Sequence, residues 1–289
     1  MLKSRLCIAF FAFAVGCAPA QKPLTDYVNP MLGTATLWDS VDLGFKPTKR
    51  TWGAEVFPGS SLPNAMVQVS PVTKFHSGAG YQYEDSVIYG FTHTNKGHWN
   101  LCHIPLLPVT GTPTPGDYCS PFSHERESAA PGYYQVFLDR YGVDAQLSST
   151  LRCAFHKYTY PAGAAPAVLA DLQRSNEHVR AWDIRKEGDN VFAGWQQTGE
   201  KMYFYAVANR PVTGIEPVVE GDREVRIVRF GEGDGALELR IGFSFVSEKN
   251  ARENLEAEML GKSFAEVRSE ATATWNDLLG RIRVEGGTE

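Results

Sequence analysis

Three consecutive segments decide the fold: Tyr133-Tyr134-Gln135-Val136-Phe137-Leu138, then Val143-Asp144-Ala145-Gln146-Leu147, then Arg152-Cys153-Ala154-Phe155-His156-Lys157-Tyr158. Apolar side chains recur at every second position, the period of a strand that buries one face. Further strand-like runs follow at residues 167–172, 179–184, 191–196, 202–208, 224–230 and 237–245. Turn signals such as Glu187-Gly188-Asp189-Asn190 and Gly231-Glu232-Gly233-Asp234-Gly235 separate them. Strands at this spacing with no helix between neighbours predict an antiparallel β-sandwich and argue against a parallel, doubly wound sheet.

Working outward, residues 25–132 are rich in Gly, Pro and Asn. Apolar stretches such as Met66-Val67-Gln68-Val69 and Val87-Ile88-Tyr89 read as short strands between long loops. The pattern changes after Ser247. Residues 248–260 are strong helix formers stopped by Gly261. Ser263 and Glu266 form a capping box for a second helix, whose Phe264, Val267, Ala271, Trp275, Leu278 and Ile282 share one face. Arg283-Val284-Glu285-Gly286-Gly287 reads as the start of a further strand. The expected organisation is a β body over residues 21–247 and a helical linker over 248–289.

The 289 residues are 43% hydrophobic, 12% aromatic and 21% charged, which excludes a disordered chain or a coiled coil. With 28 Lys and Arg against 33 Asp and Glu and no basic run, nucleic acid is excluded as a partner. Lys3 and Arg5, an apolar run from Leu6 to Gly16 and the small residues that follow read as an export signal over residues 1–20. Two processing routes compete: cleavage after Ala18-Pro19-Ala20, or a lipobox, Ala14-Val15-Gly16-Cys17, that leaves Cys17 lipidated. Losing Lys3 and Arg5 leaves 26 positive against 33 negative residues, so the charge goes from −5 to −7. No later segment reaches the ~20 apolar residues of a transmembrane helix. Cys102, Cys119 and Cys153 then remain, an odd set that allows at most one disulfide.

His93, His98, Cys102 and His103 crowd together, but neither a helical His pair nor a paired Cys motif is present. Hydrogen-bonded loop histidines are favoured over a metal site. Glu55, Glu84, Asp85 and Asp117 are carboxylates with no evident pairing across a glycosidic bond. The serine-hydrolase elbow and the phosphate-binding loops are absent. What stands out is the density of aromatic and polar residues from Phe75 through Tyr81, Tyr83, Tyr89, Phe91 and His93 to Trp99. Sugars are held by aromatic faces against C–H patches and by polar groups on hydroxyls, so the mixture suits a carbohydrate. Core aromatics account equally well for Tyr81, Tyr83, Tyr89 and Phe91, which alternate as in strands. Trp99, among polar neighbours in His98-Trp99-Asn100, reads as a binding residue.

Three segments resemble the N-terminal part of glycoside hydrolase family 92: Tyr27-Val28-Asn29-Pro30-Met31-Leu32-Gly33-Thr34, Phe57-Pro58-Gly59-Ser60-Ser61-Leu62-Pro63-Asn64-Ala65-Met66, and Gly80-Tyr81-Gln82-Tyr83-Glu84-Asp85 running on to Gly90-Phe91-Thr92-His93-Thr94. Ser244-Phe245-Val246-Ser247, Asn250-Ala251, Trp275-Asn276 and Val284-Glu285-Gly286-Gly287 follow the family as well. The resemblance implies a galactose-mutarotase-like sandwich joined by helices to an (α/α)6 barrel. It implies an exported, calcium-dependent, inverting exo-α-mannosidase acting on N-glycans or mannans. The barrel would supply the acid, the base and most calcium ligands, so this chain would hold no catalytic residue and no metal of its own. It would give one wall of the sugar site, with Phe75, Tyr81, His93 and Trp99 as the expected contacts. Phe75-His76-Ser77-Gly78-Ala79 and Asn95-Lys96-Gly97-His98-Trp99-Asn100 depart from the family pattern and leave the linkage preference open. A stand-alone lectin-like module and a non-functional gene fragment are the other readings. Some 270 residues after export are too few for a sandwich plus a barrel, so the expectation is a chain that ends before its barrel.

Overall fold

The computed structural model describes residues 22–36, 44, 55–96 and 100–283. Trp99, His98 and Cys17 lie outside the described residues. Two antiparallel sheets face each other. The eight-stranded sheet runs in the order Ala181–Lys186, Val191–Gln197, Lys201–Ala208, Leu237–Ser244, Cys153–Thr159, Val143–Ser149, Tyr133–Leu138, Glu127–Ala130. The seven-stranded sheet runs Ser60–Ser61, Gln68–Val72, Gly90–Thr92, Leu106–Val109, Ala167–Ala170, Arg223–Phe230, Val212–Glu220. The antiparallel sandwich expected from the alternation is what the chain forms.

The strand Lys201–Ala208 shows how the pattern becomes structure. Met202, Phe204, Ala206 and Ala208 are buried while the residues between them are half-exposed. The inward set joins Val136, Leu147, Tyr158, Leu239, Ile241 and, from the opposing sheet, Val69, Phe91, Leu107, Val168 and Ile227 in one apolar layer. Burial of this kind, at roughly 25 cal/mol per Å² of apolar surface, is the main force holding the sheets together.

Two strands depart from simple alternation, for different reasons. Cys153–Thr159 is buried on both faces because its outer side chains, Cys153 and Phe155, lie beneath two helices. We name these α1, Glu248–Glu258, and α2, Phe264–Leu279. Leu255 and Met259 with Phe264 and Val267 close over the outer face of the sheet, so these helices are packed parts of the body. Gly242 permits the approach: a Cβ there would lie 2.1 Å from the Ala251 carbonyl oxygen. The second case is Val212–Glu220, an edge strand that is mostly exposed and carries Pro217 and a bulge between Val212 and Gly214. Proline is tolerated at an edge because no ladder partner needs its missing N–H.

The predicted capping box is present: the Ser263 hydroxyl accepts from Glu266 N–H while the Glu266 carboxylate accepts from Ser263 N–H. The predicted apolar stripe is shorter than expected. Phe264, Val267 and Ala271 are buried and Trp275 is half-buried, but Ile282 is 81% exposed, because α2 ends at Leu279 with Gly280 as its C-cap. Among the described residues no helix is long and apolar enough to cross a membrane.

Candidate functional site

The sandwich sorts the residues expected to touch sugar. His93 is wholly buried, and its surroundings fix its chemistry. Its Nδ1 lies 2.8 Å from the Ile104 carbonyl and must donate there, so its Nε2 accepts from His156 Nε2 at 2.9 Å. His156 Nδ1 in turn accepts from the Tyr158 hydroxyl at 2.6 Å. Burial pushes His93 down to about 3, and burial followed by the neighbouring His93 holds His156 well below the usual imidazole range. This is a neutral, internally satisfied polar chain inside an apolar layer.

Tyr81 is also fully buried, its hydroxyl donating to both oxygens of Glu127 at 3.0 Å. Burial first and the Glu127 charge second push its phenol above the usual range. In the sandwich Tyr81 and His93 are both wholly buried and tie the loops around them to the core. Phe75 is half-buried, with its ring 6.2 Å from that of Tyr89 and the Arg174 guanidinium 5.6 Å above it.

The other candidates also have structural partners. His103 bonds Thr94 Oγ1 at 2.7 Å and Thr198 Oγ1 at 3.0 Å, and Cys102 Sγ lies 3.6 Å from Asn95 Oδ1, so these groups do not converge with His93 on one point. Glu84 accepts from Thr36, Asp85 from the Thr73 hydroxyl, and Asp117 pairs with Arg140. Among the described residues no three His, Cys, Asp or Glu side chains come together in a group that could hold a metal ion.

A site does emerge where Phe75 leads into His76. His76 has φ 58°, and its N–H donates to Asn176 Oδ1 at 2.8 Å while its Nδ1 lies 3.0 Å from the Asn176 carbonyl. Asn176 Nδ2 donates back to Ser77 O at 3.1 Å. A third loop is tied to the same place: Asn176 N–H and the Ser175 hydroxyl both donate to Leu101 O, and Leu101 N–H donates to Glu177 Oε1 at 3.1 Å. Leu101, Cys102 and Ile104 all hold positive φ, a strained run kept in place by these bonds. Burial opposes ionisation of Glu177, but the Leu101 N–H and the Thr198 hydroxyl outweigh it and keep the carboxyl below its usual range.

These loops border a cleft of about 540 Å³, walled by His76, Arg174, Glu177, His178, Arg180 and Trp182, with Asp222 and Arg223 from the turn opposite. His76, His178 and Arg180 are exposed, and Trp182 is half-buried with Arg226 5.4 Å above its ring. Beneath the cleft Asp171 is fully buried, accepting from Tyr118 Oη at 2.6 Å and Arg223 at 2.7 Å, with Arg174 at 3.6 Å. Half-exposed aromatic surface beside donors and acceptors of both charges is suited to a polar, hydroxyl-rich ligand. The run Gln173-Arg174-Ser175-Asn176-Glu177-His178-Val179-Arg180 supplies most of this wall, and sequence reasoning passed over it. Its signal was a dense polar run between two strands.

Residues 27–254 match the Glycosyl hydrolase family 92 N-terminal domain, and residues 250–289 match the Glycosyl hydrolase family 92 catalytic domain. An uncharacterized secreted glycosidase of Arthroderma benhamiae is 24% identical, aligned with 90% of this chain and 38% of its own length. A family 92 α-mannosidase of Bacteroides thetaiotaomicron has the same fold with a TM-score of 0.80 and 24% identity, over 92% of this chain and 39% of that one. A family 92 inverting mannosidase of Bacteroides thetaiotaomicron superposes with a TM-score of 0.77 and 24% identity, over 93% and 38% of the two chains. The chain spans about two fifths of the length of these relatives. With the N-terminal domain matched over most of its length, the chain belongs to glycoside hydrolase family 92.

Proposed function

We propose that this chain is the sugar-contacting N-terminal sandwich of an exported exo-α-mannosidase that trims mannose from N-glycans or mannans. The cleft between His76 and Arg180 forms part of the wall of the sugar site. One observation carries this reading: Asn176 locks the Phe75–Ser77 loop to the loop that bears Arg174, His178 and Arg180, gathering aromatic and polar groups around one opening. In this role Trp182 limits the pocket, Phe75 backs the Arg174 side of its wall, and His76, His178 and Arg180 bond hydroxyls. Trp99 is kept as a further contact on the sequence alone. The carboxylates that protonate the leaving oxygen and activate water belong to the family's catalytic barrel, as do most of the calcium ligands. The reading of residues 1–20 as an export signal, with Cys17 as a lipidation site, completes it, and the secreted relative supports export.

The test pairs this chain with a family 92 catalytic domain and assays mannose release from α-linked mannobiose. Release that depends on the chain, and that falls at least tenfold with His76→Ala and Trp182→Ala, is the expected result. Release unaffected by either variant would remove the cleft from the site. The cleft is built by this chain alone, which favours the lectin-like module as the second reading. Calorimetry on the isolated chain separates the two, since a dedicated module with a Kd of 1 μM corresponds to about −8 kcal/mol and gives a clear isotherm.

A further inference from the structure

Among the described Phe and Tyr side chains from Phe75 to Phe91, Tyr83 is the one left substantially exposed, at 40%. It is nevertheless fixed. The His124 imidazole lies parallel to its ring, with centroids 4.0 Å apart and planes 3° from parallel. The imidazole is itself clamped at both nitrogens: Nδ1 is 2.6 Å from Glu127 Oε2, and Nε2 is 2.8 Å from the Tyr83 carbonyl. Glu127, whose side chain is 1% exposed, is anchored by the Tyr81 and Tyr134 hydroxyls. Phe122 meets His124 in a T-shaped contact, with ring centroids 5.3 Å apart. Because one face of Tyr83 is covered, its exposed area falls on the opposite face and the rim.

An exposed ring held this rigidly loses little freedom when a ligand settles on it, which is how stacking platforms gain affinity. A flat, partly negative aromatic face complements the axial C–H patch of a pyranose, with its hydroxyls directed outward to solvent. Tyr83 is not among the walls of the His76–Arg180 cleft. We propose that Tyr83, clamped by His124, is a stacking platform for a pyranose ring of a glycan, a subsite separate from that cleft. The choice of a mannose-containing glycan rests on the function proposed above; the platform geometry does not.

The experiment labels tyrosine rings and histidine imidazoles with carbon-13 in the full chain and titrates it with α-linked mannotriose, following the signals by NMR. The expected result is movement of the Tyr83 ring signals. Tyr83→Ala should weaken binding about three- to tenfold, while Tyr83→Phe and Tyr83→Trp retain it. Movement at His76 and His178 with Tyr83 unmoved would overturn the platform and leave the cleft standing. Movement at Tyr83 alone would support the platform and remove the cleft. Movement at neither would overturn both.

Discussion

His93 Nε2 and His156 Nε2 lie 2.9 Å apart in the middle of the sandwich, one imidazole donating to the other with no charge between them. An unfolded chain binds protons on both rings below their ordinary range near 6.5, whereas the folded chain holds His93 down to about 3. Stability is therefore complete above pH 6.5 and is lost as pH falls from there toward 3. His103, pushed down to about 4 by burial, adds to the loss in the same direction. Urea unfolding at pH 7.5 and at pH 4.5 should differ by a few kcal/mol, and the paired variant His93→Phe, His156→Phe should flatten that difference. An equal pH dependence in the variant would sink the assignment.

Gly242 sets the distance between the eight-stranded sheet and α1. Gly242→Ala would drive a Cβ to 2.1 Å from the Ala251 carbonyl oxygen and 2.8 Å from Leu255 Cβ. The clash is with backbone and cannot be relieved by a side-chain rotation, so destabilisation of about 1–3 kcal/mol is expected. Thermal unfolding followed by circular dichroism measures it.

Asp171 joins the core to the floor of the cleft. Asp171→Ala strips a buried carboxylate from Arg223, Arg174 and Tyr118. Because both arginines are about a third exposed and can be rehydrated, the cost is discounted to about 2–3 kcal/mol. Mannobiose binding should weaken with it, while Asp139→Ala, at the exposed Arg126 pair, should change neither stability nor binding by more than about 0.5 kcal/mol.

Cys102, Cys119 and Cys153 are free thiols, Cys102 and Cys153 buried and Cys119 partly exposed. Burial pushes Cys102 up to about 12 and moves Cys153 upward as well, so neither presents a thiolate at neutral pH. Of these three, a thiol-exchange reagent should titrate Cys119 alone in the native protein and all three after unfolding. A melting temperature that drops on adding reductant would contradict this.

Strands such as Tyr133–Leu138 and Lys201–Ala208 were legible because each buries one face, and a period of two survives in the residue order. Val212–Glu220 was not, since an edge strand with Pro217 has neither an apolar face nor a full ladder to advertise it. The aromatic run from Phe75 was legible as unusual but not sortable. Tyr81 and Tyr83 are two residues apart in the same motif, yet one is 0% exposed and the other 40%. What separates them is Glu127 and His124, which come from another part of the chain.

The sequence by itself determined the antiparallel sandwich, the capped helix at Ser263 and the family, since alternation, capping and motif order are local properties of the chain. Only the tertiary structure decided the cleft, because Asn176 meets His76 across 100 positions through hydrogen bonds that no local pattern encodes. It also separated a core histidine from one at a cleft. His93 was the candidate in the sequence, while His76 stood in a segment that departs from the family pattern. Burial makes the first a neutral partner of His156, and the Asn176 clasp leaves the second at the mouth of a cleft.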